Sequence, residues 1–242
     1  MANPIRDWVV FGILIATIGF LNINFDADYG RIFGYLVLGG AVLYILDIVI
    51  KTSSEATAFT LRFERDPNNR LNSLLVSGVT YIIFLLIAGV IMTTLKPGLA
   101  NPVQAVYSVF ATNVPVLAES PVAKLFAFGL PVPIVENMIF FQIFPEFASD
   151  AFGLSLDFNI KSPTFWLIVL FFGGLFGYYH LTARKFDQVG LIVTTLFGIY
   201  MMLLTLWFKE SKQGAVVHAY HNTASIAKQS GIFGLEKLAV FA

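Results

Sequence analysis

The chain has 242 residues, of which 57% are hydrophobic and only 12% charged, and fifteen basic residues balance fifteen acidic ones. Soluble domains carry about 25% charged residues, so the means of covering a surface against water are scarce here, and a mean hydropathy of +0.77 points to lipid as the solvent. Zero net charge without a block of like charges argues against nucleic acid as a partner, and the absence of cysteine removes disulfide scaffolds, thiolate metal sites and cysteine nucleophiles together.

A helix needs about 20 mostly apolar residues to cross a hydrocarbon core of about 30 Å. Seven stretches read as such spans: 8–22, 32–50, 71–95, 122–144, 164–181, 190–208 and 214–233. The first follows Arg6 and Asp7 without a small-residue cleavage site, and so reads as a retained anchor. The second contains Asp47, for which the sequence names no partner. The polar loop at 51–70 is too short to fold alone, since chains below about 40 residues need extra support. A weaker eighth candidate lies between Pro97 and Pro121, interrupted by Gln104, Asn113 and Pro115. Counting it places ten basic residues on the side of the 51–70 loop and five on the other, the bias of cytoplasmic loops. The expectation is an all-α, polytopic transmembrane helix bundle of seven or eight spans, a single domain over 1–242 with both termini cytoplasmic and the lipid bilayer as its surroundings.

One carboxylate, Glu136, stands near the middle of the apolar run at 122–144. Insertion at a helix centre costs roughly 2.5–3.5 kcal/mol for such a group, so a cation, a water-filled cavity or protonation has to offset it. The chain holds three histidines, His180, His218 and His221, all in or beside expected spans. Residues four apart share a helix face, which pairs Phe176 with His180 and His218 with Asn222. Gly173, Gly174 and Gly177 would let a neighbouring helix come close. A polar site shared by three helices is therefore expected, with His221 as a supporting or purely structural residue. The 25 phenylalanines read as lipid-facing and core packing that needs no cofactor.

In these residues the chain resembles the CPBP family of intramembrane proteases, which includes the CAAX-prenyl endopeptidases and the bacteriocin-processing ABI proteins. The family pattern is EExxxR, FxxxH and HxxxN on three successive helices. This chain reads ENMIFF from Glu136, FGYYH at 176–180 and HAYHN at 218–222. The second and third motifs match in full. The first matches at its leading glutamate only, with Asn137 in place of a second glutamate and Phe141 in place of arginine. The resemblance covers the stretch from about residue 120 to 230 and leaves the N-terminal spans, 1–120, without a signature.

The resemblance implies an intramembrane endopeptidase in which Glu136 and His180 hold and activate a water molecule while His218 and Asn222 stabilise the oxyanion. A membrane-associated peptide or protein is then the substrate. A zinc-dependent form with Glu136, His180 and His218 as ligands stays open, although direct water activation is preferred because no HExxH helix is present. Two other classes remain. Asn137 and Phe141 suit a catalytically silent relative serving as a membrane scaffold, a subunit of a larger membrane complex or an immunity-type protein. Glu136, Asp47 and the histidines could instead line a proton or ion pathway, which the lack of a broken helix pair or paired half-repeat speaks against.

Overall fold

A computed structural model of the protein describes residues 70–96, 131–180, 188–209 and 211–230, together with Gly98, Val106 and Gly129. The spans expected at 8–22 and 32–50, Asp47, the loop before Arg70, most of the 97–121 interval and both termini lie outside the described residues. The described elements are all helices, with no strand among the described residues. They form α1 (Arg70–Leu95), α2 (Pro131–Met138), a π turn (Ile139–Ile143), α3 (Phe144–Phe152), α4 (Pro163–Tyr179), α5 (Gln188–Phe208) and α6 (Lys212–Ser230).

Helix α1 is apolar on every side. Tyr81, Phe84, Leu85, Ala88 and Met92 are buried, while Leu75, Val79, Ile82, Leu86 and Val90 point outward and are exposed. A helix apolar all round belongs in a protein core or in lipid. The stretch Leu75–Leu95 and helix α5 are each 21 residues long and apolar enough to cross a membrane; at about 1.5 Å per residue each spans about 30 Å. Helix α4 is apolar but shorter, with 17 residues. Helix α6, which carries Lys212, Gln213, His218, His221 and Asn222, does not meet the same criterion. The expected count of seven or eight spans includes residues beyond those described.

Residues 131–144 of the span expected at 122–144 are described and helical, and the rod continues to Phe152 with a π turn inside it. Pro145 explains that turn. It has no backbone N–H, and its ring crowds the carbonyl four residues back. The preceding turn widens, so that the Phe144 amide donates to the carbonyl of Ile139, five residues back. The rod ends at Gly153, whose φ of 64° is the left-handed cap that glycine adopts without penalty.

Helices α4 and α5 run antiparallel in near backbone contact. A Cβ added at Gly173 would lie 2.5 Å from Ile199 Cγ1, and one at Gly198 would lie 2.8 Å from the Gly173 carbonyl oxygen. Gly174, expected to share in this approach, faces open space instead. Helix α6 lies antiparallel to the 131–152 rod. Asn137 meets His218, and five residues further along the rod Gln142 accepts a hydrogen bond from Ser211. Helix α1 closes the other side: Thr80 and Tyr200 share a hydrogen bond of 3.0 Å, and the Tyr81 phenol bonds Nδ1 of His221. Buried phenylalanines, among them Phe140, Phe141, Phe172, Phe176 and Phe197, fill the centre.

Candidate functional site

Glu136 is 2% exposed, and its carboxylate lies between two imidazoles carried by different helices. Oε1 is 3.8 Å from His180 Nε2, and Oε2 is 3.7 Å from His218 Nε2. Both separations exceed the roughly 3.0 Å of a direct N–H···O bond, and fall in the range that one intervening water closes. The His218 side chain is 2% exposed and that of His180 12%.

The end of α4 orients His180. The helix stops at Tyr179, and the His180 amide turns to the Gly177 carbonyl at 3.0 Å. That releases the Phe176 carbonyl from its usual i+4 amide, and the His180 ring takes its place: Nδ1–H donates to Phe176 O at 2.8 Å. The four-residue spacing thus lays the imidazole back over Phe176, with ring centroids 4.4 Å apart, and turns Nε2 toward Glu136.

Asn137 orients His218. Its amide nitrogen donates to the Pro133 carbonyl at 2.9 Å and to His218 Nδ1 at 2.8 Å. Gly214, one turn before His218, leaves room for this amide, since a Cβ there would sit 2.8 Å from Asn137 Oδ1 and push it aside. Phe176 and Phe197 wall the site, with centroids 5.7 and 5.1 Å from the His218 ring. They keep the local dielectric low, which strengthens every charge interaction inside.

Of the four residues expected at the site, the structure brings Glu136, His180 and His218 together. Asn222 follows one turn beyond His218 on the same face of α6 and is partly buried. His221, fully buried, turns to α1 and bonds Tyr81. Two residues were not singled out as functional from the sequence. Asn137 registers there only as a departure from a motif, although an amide next to Glu136 in an apolar run has to find a partner. Tyr81 gives no sequence signal beyond a hydroxyl in an apolar span. Phe141, where the family pattern has arginine, is buried and packs on Phe176 at 5.2 Å between centroids.

Among the described residues no group of three or more His, Cys, Asp or Glu side chains is disposed to hold a metal ion. A metal-bound imidazole normally donates the proton of its second nitrogen to a carboxylate or carbonyl. The second nitrogen of His218 instead accepts a hydrogen bond from Asn137. The zinc set of Glu136, His180 and His218 does not fit that arrangement.

No family model matches the chain, and comparison with curated proteins and with solved structures finds no match either. The likeness to the CPBP pattern therefore rests on the motif residues themselves.

Proposed function

We propose that the chain is a CPBP-type intramembrane endopeptidase that hydrolyses a peptide bond of a membrane-associated substrate with a water molecule held between Glu136 and His180. The observation that carries this reading is the buried carboxylate set 3.8 and 3.7 Å from two imidazoles on separate helices. Buried ionisable groups inside apolar helices are costly, and their convergence is retained for chemistry more readily than for stability. In this reading the chain is a multi-pass membrane protein of seven or eight spans with cytoplasmic termini.

The step balances as follows. The water oxygen attacks the peptide carbonyl carbon while its proton passes to the Glu136–His180 pair, and the carbonyl oxygen takes up the negative charge. Nε2–H of His218 and the amide of Asn222 donate to that oxygen. Collapse of the tetrahedral species breaks the C–N bond, and the stored proton leaves with the amine. General base assistance contributes about 10²- to 10⁴-fold, and one oxyanion donor about 3 kcal/mol in a dry site.

The test compares new protein N-termini in membranes of cells producing the wild-type chain or Glu136→Gln. Termini formed only by the wild type support the reading, and identical sets overturn it. A second reading, a silent scaffold, complex subunit or immunity-type protein, is favoured by Phe141 filling an aromatic core where the family pattern carries a cation. Copurification in fixed ratio with a partner complex, unaltered by Glu136→Ala, would select it.

A further inference from the structure

We propose that Asn137 is a positioning residue that makes the two histidines chemically unlike, fixing His218 as a proton donor opposite a His180 that is fixed as an acceptor. The catalytic consequence rests on the hydrolase reading above; the assignment of the protons does not.

The donors and acceptors around each ring leave one place for each hydrogen. A side-chain amide nitrogen carries two hydrogens and accepts none. In Asn137 one points to the Pro133 carbonyl, which can only accept, and the other to His218 Nδ1. Reversing the amide would set its oxygen against that carbonyl, so the backbone determines which atom faces the imidazole. Nδ1 of His218 is therefore the unprotonated nitrogen, and the neutral ring carries its hydrogen on Nε2, 3.7 Å from Glu136 Oε2. In His180 the order is reversed. Its Nδ1 bonds the Phe176 carbonyl and must donate, which leaves a lone pair on Nε2, 3.8 Å from Glu136 Oε1.

The two sides of the carboxylate thus differ. Beside Oε1 stand two acceptors, which a water molecule satisfies by giving one hydrogen to each, the arrangement that activates its oxygen. Beside Oε2 stands a donor, suited to an oxygen on which charge develops. An aspartate at position 137, of the same shape as asparagine, would reverse the second side, because its carboxylate accepts the Nδ1 hydrogen of His218 and strips Nε2 of its own. Asn137 is then a determinant of the site and not a lost half of a motif. It is held from both faces: the side chain is 0% exposed, and its Oδ1 packs against Gly214.

The experiment uses the full chain in bilayers or detergent, labelled with ¹⁵N-histidine, at a pH where the rings are neutral. Three histidines give signals that single replacements assign, and protonated and bare imidazole nitrogens are well separated in ¹⁵N shift. The expected wild-type result is His218 protonated on Nε2 and His180 protonated on Nδ1. Asn137→Asp moves the His218 hydrogen to Nδ1 and lowers kcat by about 10²- to 10³-fold with KM little changed, and Asn137→Ala leaves His218 a mixture of both forms. A wild-type His218 protonated on Nδ1, or an Asn137→Asp variant that keeps the Nε2 hydrogen, overturns the proposal. The expected tautomers in a chain that cleaves nothing would uphold the role of Asn137 and sink the hydrolase reading alone.

Discussion

Gly177 of α4 lies directly against Thr195 of α5, with no space for a side chain between them. Three residues later comes His180, so the approach of α5 sets where the last turn of α4 delivers its imidazole. Gly177→Ala is expected to force the helices apart, costing about 1–3 kcal/mol of stability and lowering cleavage through displacement of His180. Gly174→Ala, three residues earlier but facing open space, is expected to leave both unchanged. Thermal unfolding in detergent and a cleavage assay on the same preparations check the contrast.

Replacing Glu136 by glutamine separates function from stability. The amide keeps the shape of the side chain but removes both the base and a charge that burial penalises. Cleavage is expected to fall by about 10²- to 10⁴-fold, while the unfolding temperature stays level or rises. An unfolding temperature that falls together with activity would show Glu136 to be a structural anchor.

Much of this was legible in the sequence, for reasons that also mark where legibility ends. Apolar runs of span length admit few readings, and α1 and α5, the two helices long and apolar enough to cross a membrane among the described residues, lie over the expected 71–95 and 190–208, while the shorter α4 and the more polar α6 lie over the expected 164–181 and 214–233 with small end shifts. Within the 122–144 run hydropathy is blind to Pro145, whose missing N–H widens one turn. The convergence of Glu136, His180 and His218 was readable because the chain has so few polar groups in apolar runs. Asn137 was not, since its partner His218 lies 81 positions away and motif matching compares positions one at a time. Gly173 and Gly177, four apart, share the α5-facing side; Gly174 is about 100° off it, which spacing alone would have shown.

The Tyr81–His221 bond joins α1 to α6. Hydrogen bonds between membrane helices average about 0.6 kcal/mol and reach about 1.7 kcal/mol. Tyr81→Phe is expected to cost an amount in that range and to leave cleavage rates as they were. A rate loss of tenfold or more without loss of stability would move His221 into the catalytic set.

Lys209 joins the α5–α6 turn to the loop before α4 through Leu156 O at 3.0 Å and Asp157 Oδ1 at 2.8 Å. The lysine hydrogen bond, followed by that from Ser155, holds the Asp157 carboxyl below its ordinary value of 3.8. Because the folded value is depressed, the pair stabilises above the unfolded value and its contribution is lost as pH falls through the folded one. Both side chains are well exposed, so the expected effect is about 0.2–1 kcal/mol and shrinks with salt. Lys209 also holds a φ of 58°, which costs a residue with a side chain about 1–2 kcal/mol. Lys209→Gly is therefore expected to be less destabilising than Lys209→Ala, and Asp157→Asn to flatten the acid limb of the stability profile, both read by unfolding at neutral and acidic pH.

The absence of cysteine makes the membrane placement directly measurable, because a single introduced thiol reports on one position. Ile82 and Leu86 on the outward face of α1 are 49% and 55% exposed, yet wholly apolar. If lipid covers that face, a thiol there stays protonated and out of reach of a charged maleimide, since the thiolate is the reacting form and it needs water. Asp157 lies in a polar loop and ought to label freely once replaced. In sealed vesicles Ile82→Cys and Leu86→Cys are expected to resist the reagent while Asp157→Cys reacts whenever its side of the membrane is reached. Equal labelling of all three would place the α1 face in water and remove the bilayer from the interpretation of Glu136.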